Sequence, residues 1–328
     1  MNVRGRDYRA VWMTGHDVIV VNQPLLPGKF ALLRLRDYRQ TARAIQTMIV
    51  RGAGTIGATA AYGLAQAALA GADIKVAYRA LLNTRPTAAD LKHALDRVRR
   101  HLDDPVAEAQ RIADEYAERG RRIGQIGLPL IQNGCRVLTH CNAGWLALVD
   151  WGSAPAPIYL AHRKRRKVFV WVDETRPRLQ GANLTSWEFQ QEGVPHKIIA
   201  DNAGGLLMQR GEVDLCLVGA DRIAANGDVA NKIGTYQKAV LAREHGIPFY
   251  VAAPSSTIDL NCRSGADIPI EERDEDEIHF VGKTRVTPRG ARAANPAFDV
   301  TPARFITGII TEAGIFKPSE IRRCRNNT

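Results

Sequence analysis

Cysteine is scarce, five residues in a chain of 328, and no CxxC pair occurs. Cys135, Cys141, Cys216, Cys262 and Cys324 are odd in number and irregularly spaced, which argues against a disulfide framework and suits a reducing, cytoplasmic compartment. Cysteines and histidines also lack zinc-ligand spacing, so no metal is expected. No apolar run reaches the roughly 18 residues of a membrane span, and the N-terminal MNVRGRDYRAVW has no apolar signal core. Aromatic residues are only 6% and do not interleave with basic ones, so there is no stacking platform for single-stranded nucleic acid. No GK[ST] follows the glycine-rich RGAGTIG, no GxGxxG follows a strand, and GxSxG is absent. These absences leave no cofactor motif and no serine-hydrolase elbow.

What is present is a globular composition, 45% hydrophobic and 24% charged, with a net charge of +11. Charge of that size fits nucleic acid, a membrane surface, an anionic metabolite or plain solubility. The densest basic cluster, His162 to Lys167, reads as the end of a helix, where the dipole favours cations. The chain divides into two domains, residues 1–122 and 123–328. The first has short strands and turns from Tyr8 to Asp37. Helical spacing follows, with a capping pair at Thr87 and Asp90. After about Arg122 come short β-branched runs, CRVLTHC, KVFVWVDE, HKIIADN, VDLCLVGADR, PFYVAAP and FITGIIT, alternating with helices such as Leu184 to Gln191 and Lys232 to His245. That alternation predicts an α/β fold, a Rossmann-like parallel sheet preceded by a smaller, mainly helical domain.

In open parallel sheets ligands sit beyond the carboxyl ends of the strands, near a reversal of strand order. Those ends carry His140-Cys141-Asn142, Asp173-Glu174, Asp201-Asn202, Asp221-Arg222 and Pro254-Ser255-Ser256, so separate pieces of sequence are expected to converge on one crevice. A cysteine usually fills core volume, and Cys135 and Cys216 keep that reading. Cys141 stands instead at a strand end before Asn142, Ala143 and Gly144, where the N–H groups of a turn favour a thiolate. His140 is not its base, because neighbours on an extended strand point to opposite faces. Asp221 follows LCLVGA into a polar loop and suits a general acid, the plainer reading being a loop cap or an ion pair with Arg222. Arg51 and Gly52 in RGAGTIG open a helix in a way that suits a phosphate dianion, and equally suits close helix packing. Arg85, before another helix start, is a second candidate anion ligand.

The segments RGAGTIGATAAYG, NTRPTAADL, LTHCNAG, DETRPRLQGANLTSWE, the run from Gly219 to Asp259 and IITEAGI together resemble the methylthioribose-1-phosphate isomerase family of methionine salvage. The likeness runs in order from about Trp12 to Pro318. It implies a cytoplasmic homodimer acting on a small sugar phosphate, with neither nucleic acid nor membrane as partner and without cofactor or metal. It also implies a catalytic pair at Cys141 and Asp221, with substrate contacts from Arg51, Gly52, Ala53, Arg85, Asn231 and Lys232. In that chemistry the aldose is locked as a ring by its 1-phosphate, so the ring opens before hydrogen at C2 reaches C1. Cys141 as a proton shuttle and a direct hydride shift are both open readings. The segment from Trp145 to Lys167 departs from the family: Trp145 replaces a small residue near the thiol, where it would reshape the pocket for the C5 substituent, and Pro155 and Pro157 interrupt a usual helix. Alternatives are 5-deoxyribose 1-phosphate as substrate, a ribose-1,5-bisphosphate isomerase, or a non-catalytic relative of the regulatory subunits of the translation initiation exchange factor.

Overall fold

The computed structural model describes residues 1–85 and 89–326. The capping pair expected at Thr87 and Asp90 rests on Thr87, which lies outside them. Two compact units emerge, one of residues 1–124 with 143–156, the other of residues 125–142 with 157–328. The stretch from Ala143 to Ala156, assigned by sequence to the second domain, thus belongs with the first unit.

The first unit opens with the hairpin β1 (Asn2–Val3) and β2 (Arg6–Asp7) and an antiparallel sheet of β3 (Val11–Thr14), β4 (Asp17–Val21) and β5 (Leu32–Leu35). Five helices follow: α1 (Tyr38–Gln46), α2 (Ala53–Leu69), α3 (Ile74–Leu82), α4 (Ala89–Arg100) and α5 (Pro105–Gly127). Asp37 starts α1 by accepting the N–H groups of Arg39 and Gln40, which supplies partners for two of the donors a helix start leaves unpaired. α2 is buried almost all round, because its alanines and glycines let α1, α3 and α4 approach closely. Val20, Ile45, Leu64, Leu95 and Ile112 form the centre of this core.

In the second unit the chain forms β6 (Cys135–Thr139), α6 (Pro155–Arg163, counted with this unit from Pro157), β7 (Val168–Asp173), α7 (Ser186–Glu192), β8 (His196–Ile199), α8 (Ala203–Gln209) and β9 (Leu215–Val218). There follow β10 (Arg222–Ala224), β11 (Val229–Lys232), α9 (Thr235–Glu244), β12 (Phe249–Ala252), β13 (Ile258–Asp259), α10 (Asp276–His279), the hairpin β14 (Phe280–Val281) and β15 (Thr284–Arg285), β16 (Phe298–Thr301), β17 (Gly308–Thr311) and β18 (Gly314–Phe316). The main sheet has seven strands in the order β18-β17-β12-β9-β6-β7-β8, and all are parallel except β18. All six β-branched runs of the sequence take their places in it. A four-stranded sheet, β13-β10-β11-β16, branches off after β9 and was not expected. Lys232, read as opening a helix, closes β11; α9 begins at Thr235. Pro155 and Pro157 do not interrupt α6 but stand in its first turn, where proline's missing N–H is no loss. The basic cluster does close that helix, with His162 and Arg163 in the last turn.

Leu138, Val218, Phe249, Val251 and Ile309 pack with Met208 and Ala239 to form the sheet's core. Cys216 belongs to it, and burial pushes its thiol far above the usual range. Burial likewise raises Cys135 to about 11, as suits an inert core thiol.

Candidate active site

From β6 the chain runs outward through β7 to β8, then returns to the other flank of β6 to form β9 and continues outward through β12 to β17. The order reverses between β6 and β9, which are hydrogen-bonded neighbours. Residues beyond the carboxyl ends of two such strands border the crevice where ligands of open α/β sheets bind. Cys141 lies just past β6 and Asp221 just past β9.

Cys141 is half-buried, whereas the other four cysteines are buried, and its φ of 64° is left-handed. For a residue with a Cβ that conformation costs about 1–2 kcal/mol. Two hydroxyls hold it there. The Cys141 N–H donates to Thr175 Oγ1 at 2.8 Å, and Thr185 Oγ1 donates to the Cys141 carbonyl at 2.6 Å. Hydrogen bonds of this kind contribute about 0.5–1.5 kcal/mol each, enough to offset the backbone strain. The threonines are themselves fixed. Thr175 donates to the Asp173 carbonyl at 3.0 Å, and Thr185 accepts from Asn142 Nδ2 at 3.1 Å. Thr185 reaches Cys141 because it ends a π-helical turn, Gly181–Thr185, whose first residue lies against the end of β7. A Cβ on Gly181 would stand 1.7 Å from the Asp173 carbonyl oxygen, so glycine is required.

The remaining strand ends are largely spent on scaffolding. His140 Nδ1 meets Asp173 Oδ2 at 2.8 Å, and its Nε2 lies 2.8 Å from the Ile233 carbonyl oxygen, so both ring nitrogens are engaged away from the thiol. Lys238 Nζ, fully buried on α9, sits 3.2 Å from Asp173 Oδ2 and donates to the Asp201 carbonyl at 2.5 Å. The Asp201 carboxylate accepts the N–H groups of Thr175 and Arg176, both at 2.7 Å. His140, Asp173 and Asp201 could by spacing alone hold a metal ion. Here Lys238 lies beside Asp173 and both Asp201 oxygens accept backbone N–H groups, so protein partners already occupy much of the set, while Asp173 Oδ1 is buried without a hydrogen-bond partner. Asp173 and Asp201, expected to line the crevice, are engaged instead by His140, Lys238 and the N–H groups of Thr175 and Arg176. Ser255 is also committed, to Glu312 Oε1 at 2.7 Å.

Asp221 is exposed, and its backbone N–H donates to the Ala230 carbonyl at 2.9 Å, pinning the turn between β9 and β10 to β11. Its neighbour Arg222 pairs with Asp259 at 3.6 Å. Asn231 and Lys232 are buried in β11. Asn231 Nδ2 donates to Thr235 Oγ1 at 2.9 Å; Lys232 Nζ donates to the Ala297 carbonyl at 2.8 Å and lies 4.4 Å from the centre of the Phe298 ring.

Arg51, Gly52, Ala53 and Arg85 lie in the first unit. Gly52 caps α2 with φ of 85°, and Arg51 and Ala53 flank it. Gly52 stands at once at a helix start and in a close approach, because a Cβ on it would lie 2.3 Å from Ala147 Cα. Gly52→Ala is therefore expected to cost about 3 kcal/mol or more through backbone strain and overpacking. Chemical denaturation would show it, and an unchanged midpoint would mean that the turn at Ala147 moves freely. Trp145, expected to shape the pocket, is fully buried in the turn Trp145–Ala147 and presents no surface to a ligand.

Sequence reading missed Thr175, Thr185 and Lys238. The threonines sit within DETRPRLQGANLTSWE, but nothing in its spacing shows that both hydroxyls return to a residue more than 30 positions earlier. Lys238 looks like any helix lysine.

Residues 49–318 match the model of the initiation factor 2 subunit family. A methylthioribose-1-phosphate isomerase of Rhizobium meliloti (strain 1021) is 50% identical, covering 97% of each chain. The crystal structure of 5-methylthioribose 1-phosphate isomerase from Pyrococcus horikoshii OT3 superposes with a TM-score of 0.92 at 44% identity, covering 98% of this chain and 96% of that one. The translation initiation factor eIF-2B, subunit delta, from A. fulgidus gives 0.85 at 38% identity, covering 96% and 97%. The chain belongs to the initiation factor 2 subunit family, and within it stands with the methylthioribose-1-phosphate isomerases.

Proposed function

We propose that this chain is an aldose–ketose isomerase that converts 5-methylthioribose 1-phosphate to 5-methylthioribulose 1-phosphate, with Cys141 and Asp221 as its catalytic pair. The observation that carries the reading is the placement of a half-buried thiol and a carboxyl group beyond neighbouring strands at the reversal of the sheet, in a chain 50% identical to a named isomerase of that substrate. Arg51, with the N–H groups of Gly52 and Ala53 and with Arg85, holds the phosphate and opposes its loss. Asn231 and Lys232 bind the sugar. Asp221, protonated, delivers its proton to the ring oxygen as the C1–O bond breaks, leaving an open chain cationic at C1. The Cys141 thiolate takes the proton from C2, which gives a 1-phospho-enol, and returns it to C1. Asp221 takes the proton of the C2 hydroxyl as the ketone forms, so both residues end as they began. The enzyme works as a cytoplasmic homodimer, its partner a sugar phosphate rather than nucleic acid. No described helix is long and apolar enough to cross a membrane.

Phosphorus NMR of the purified protein with methylthioribose 1-phosphate tests this. The anomeric phosphate signal is expected to give way to that of the ketose 1-phosphate. Conversion of ribose 1,5-bisphosphate alone would reassign the substrate, and inertness toward both would move the chain to the non-catalytic members of the family.

A further inference from the structure

We infer that Thr175 and Thr185 are positioning residues for the reaction, a hydroxyl clamp that fixes where the Cys141 sulfur points. The inference rests on the proposed catalytic role of Cys141. Each hydroxyl carries one donor and can also accept, and here both capacities are used. Thr175 accepts from the Cys141 N–H and donates to the Asp173 carbonyl, while Thr185 donates to the Cys141 carbonyl and accepts from Asn142. The two peptide groups that set φ and ψ of Cys141 are thus each tied to a side chain from the segment following β7. That segment is rigid in turn. The Asp201 carboxylate holds the N–H of Thr175, Asp173 is locked by His140 and Lys238, and Glu188 holds Asn142 Nδ2 at 3.2 Å while accepting the Tyr159 hydroxyl at 2.7 Å. Because the left-handed conformation is unfavourable for cysteine, losing either hydroxyl lets the residue relax toward ordinary φ and swings Cβ and sulfur away. The thiol would then remain present but misaimed. Misplacement by about 1 Å can cost 10²-fold in rate.

Thr175→Val and Thr185→Val keep size and branching but remove the hydroxyl. Each is expected to lower kcat by about 10- to 10²-fold with KM changed less than about threefold, since the substrate-holding residues are untouched. Serine at either position restores the hydroxyl and most of kcat. A second readout needs no turnover: alkylation of Cys141 by iodoacetamide, followed by mass spectrometry across pH, is expected to change in rate and pH profile in the valine variants and revert with serine. Folded valine variants with normal kcat and normal alkylation would overturn the clamp. So would losses in kcat and melting temperature that serine does not restore, which mark a structural role. If Thr175→Val does not fold, Thr185→Val and both serine variants carry the same expectations. Normal turnover in Cys141→Ser would remove the catalytic role of the thiol, while the alkylation profiles would still decide whether the clamp exists.

Discussion

Cys141→Ser is expected to lower turnover by about 10²- to 10⁴-fold with the fold retained, the range typical of losing a positioned acid–base group. That corresponds to about 3–5 kcal/mol of transition-state stabilisation. Serine fills the same space and leaves both threonine bonds to the backbone intact, so the loss reports on the sulfur alone. A hydroxyl is far less acidic than a thiol and cannot take a proton from carbon near neutral pH. The rate of ketose formation and the melting temperature, measured on one preparation, separate chemistry from folding. Near-normal turnover would end the assignment. Reaction in deuterium oxide sharpens the test: a proton shuttle through sulfur places some solvent deuterium at C1 of the product, whereas a direct hydride shift places none. The backbone predicts a further effect. At φ of 64° a Cβ is a burden, so Cys141→Gly is expected to be more stable than Cys141→Ala by about 1 kcal/mol, the reverse of the usual order.

The parallel sheet was legible because its strands are short β-branched runs bounded by polar or small residues, a pattern that burial on both faces imposes. The reversal beside β6 was not, since strand order depends on where each crossover packs and no local spacing encodes it. Long-range contacts account for the other differences. Lys232 belongs to a strand because β11 pairs with β16, bringing Ala297 and Phe298 to its side chain. Asp173 and Asp201 resemble site carboxylates in sequence, yet their partners Lys238, His140 and the Thr175–Arg176 amides spend them on support. Cys141 and Asp221 stood out because each combines a strand end with a side chain able to exchange protons. Their setting did not, because it is built by hydroxyls and glycines whose geometry appears only once the chain has folded.

Asp221→Asn is the second large effect, expected to lower turnover by about 10²- to 10⁴-fold at unchanged stability. The amide has the size of the acid but no proton to give, so the ring oxygen would have to leave as an alkoxide. Asp221 is exposed, its neighbour Arg222 pairs with Asp259, and the turn is held by the backbone N–H of Asp221, which the variant keeps. Little structural disturbance should follow. A melting temperature equal to that of the parent, with turnover lost, is the expected pair of results; turnover within a few-fold of the parent would mean that another acid opens the ring. The double variant gives a further check. Ring opening by Asp221 and hydrogen transfer by Cys141 are consecutive steps of one reaction, and groups that act as a unit are strongly non-additive. Cys141→Ser combined with Asp221→Asn is therefore expected to be slower than the poorer single variant by no more than about tenfold. Fully multiplicative losses would mean that the thiol and the carboxyl group act independently, and the shared reaction sequence would have to be abandoned.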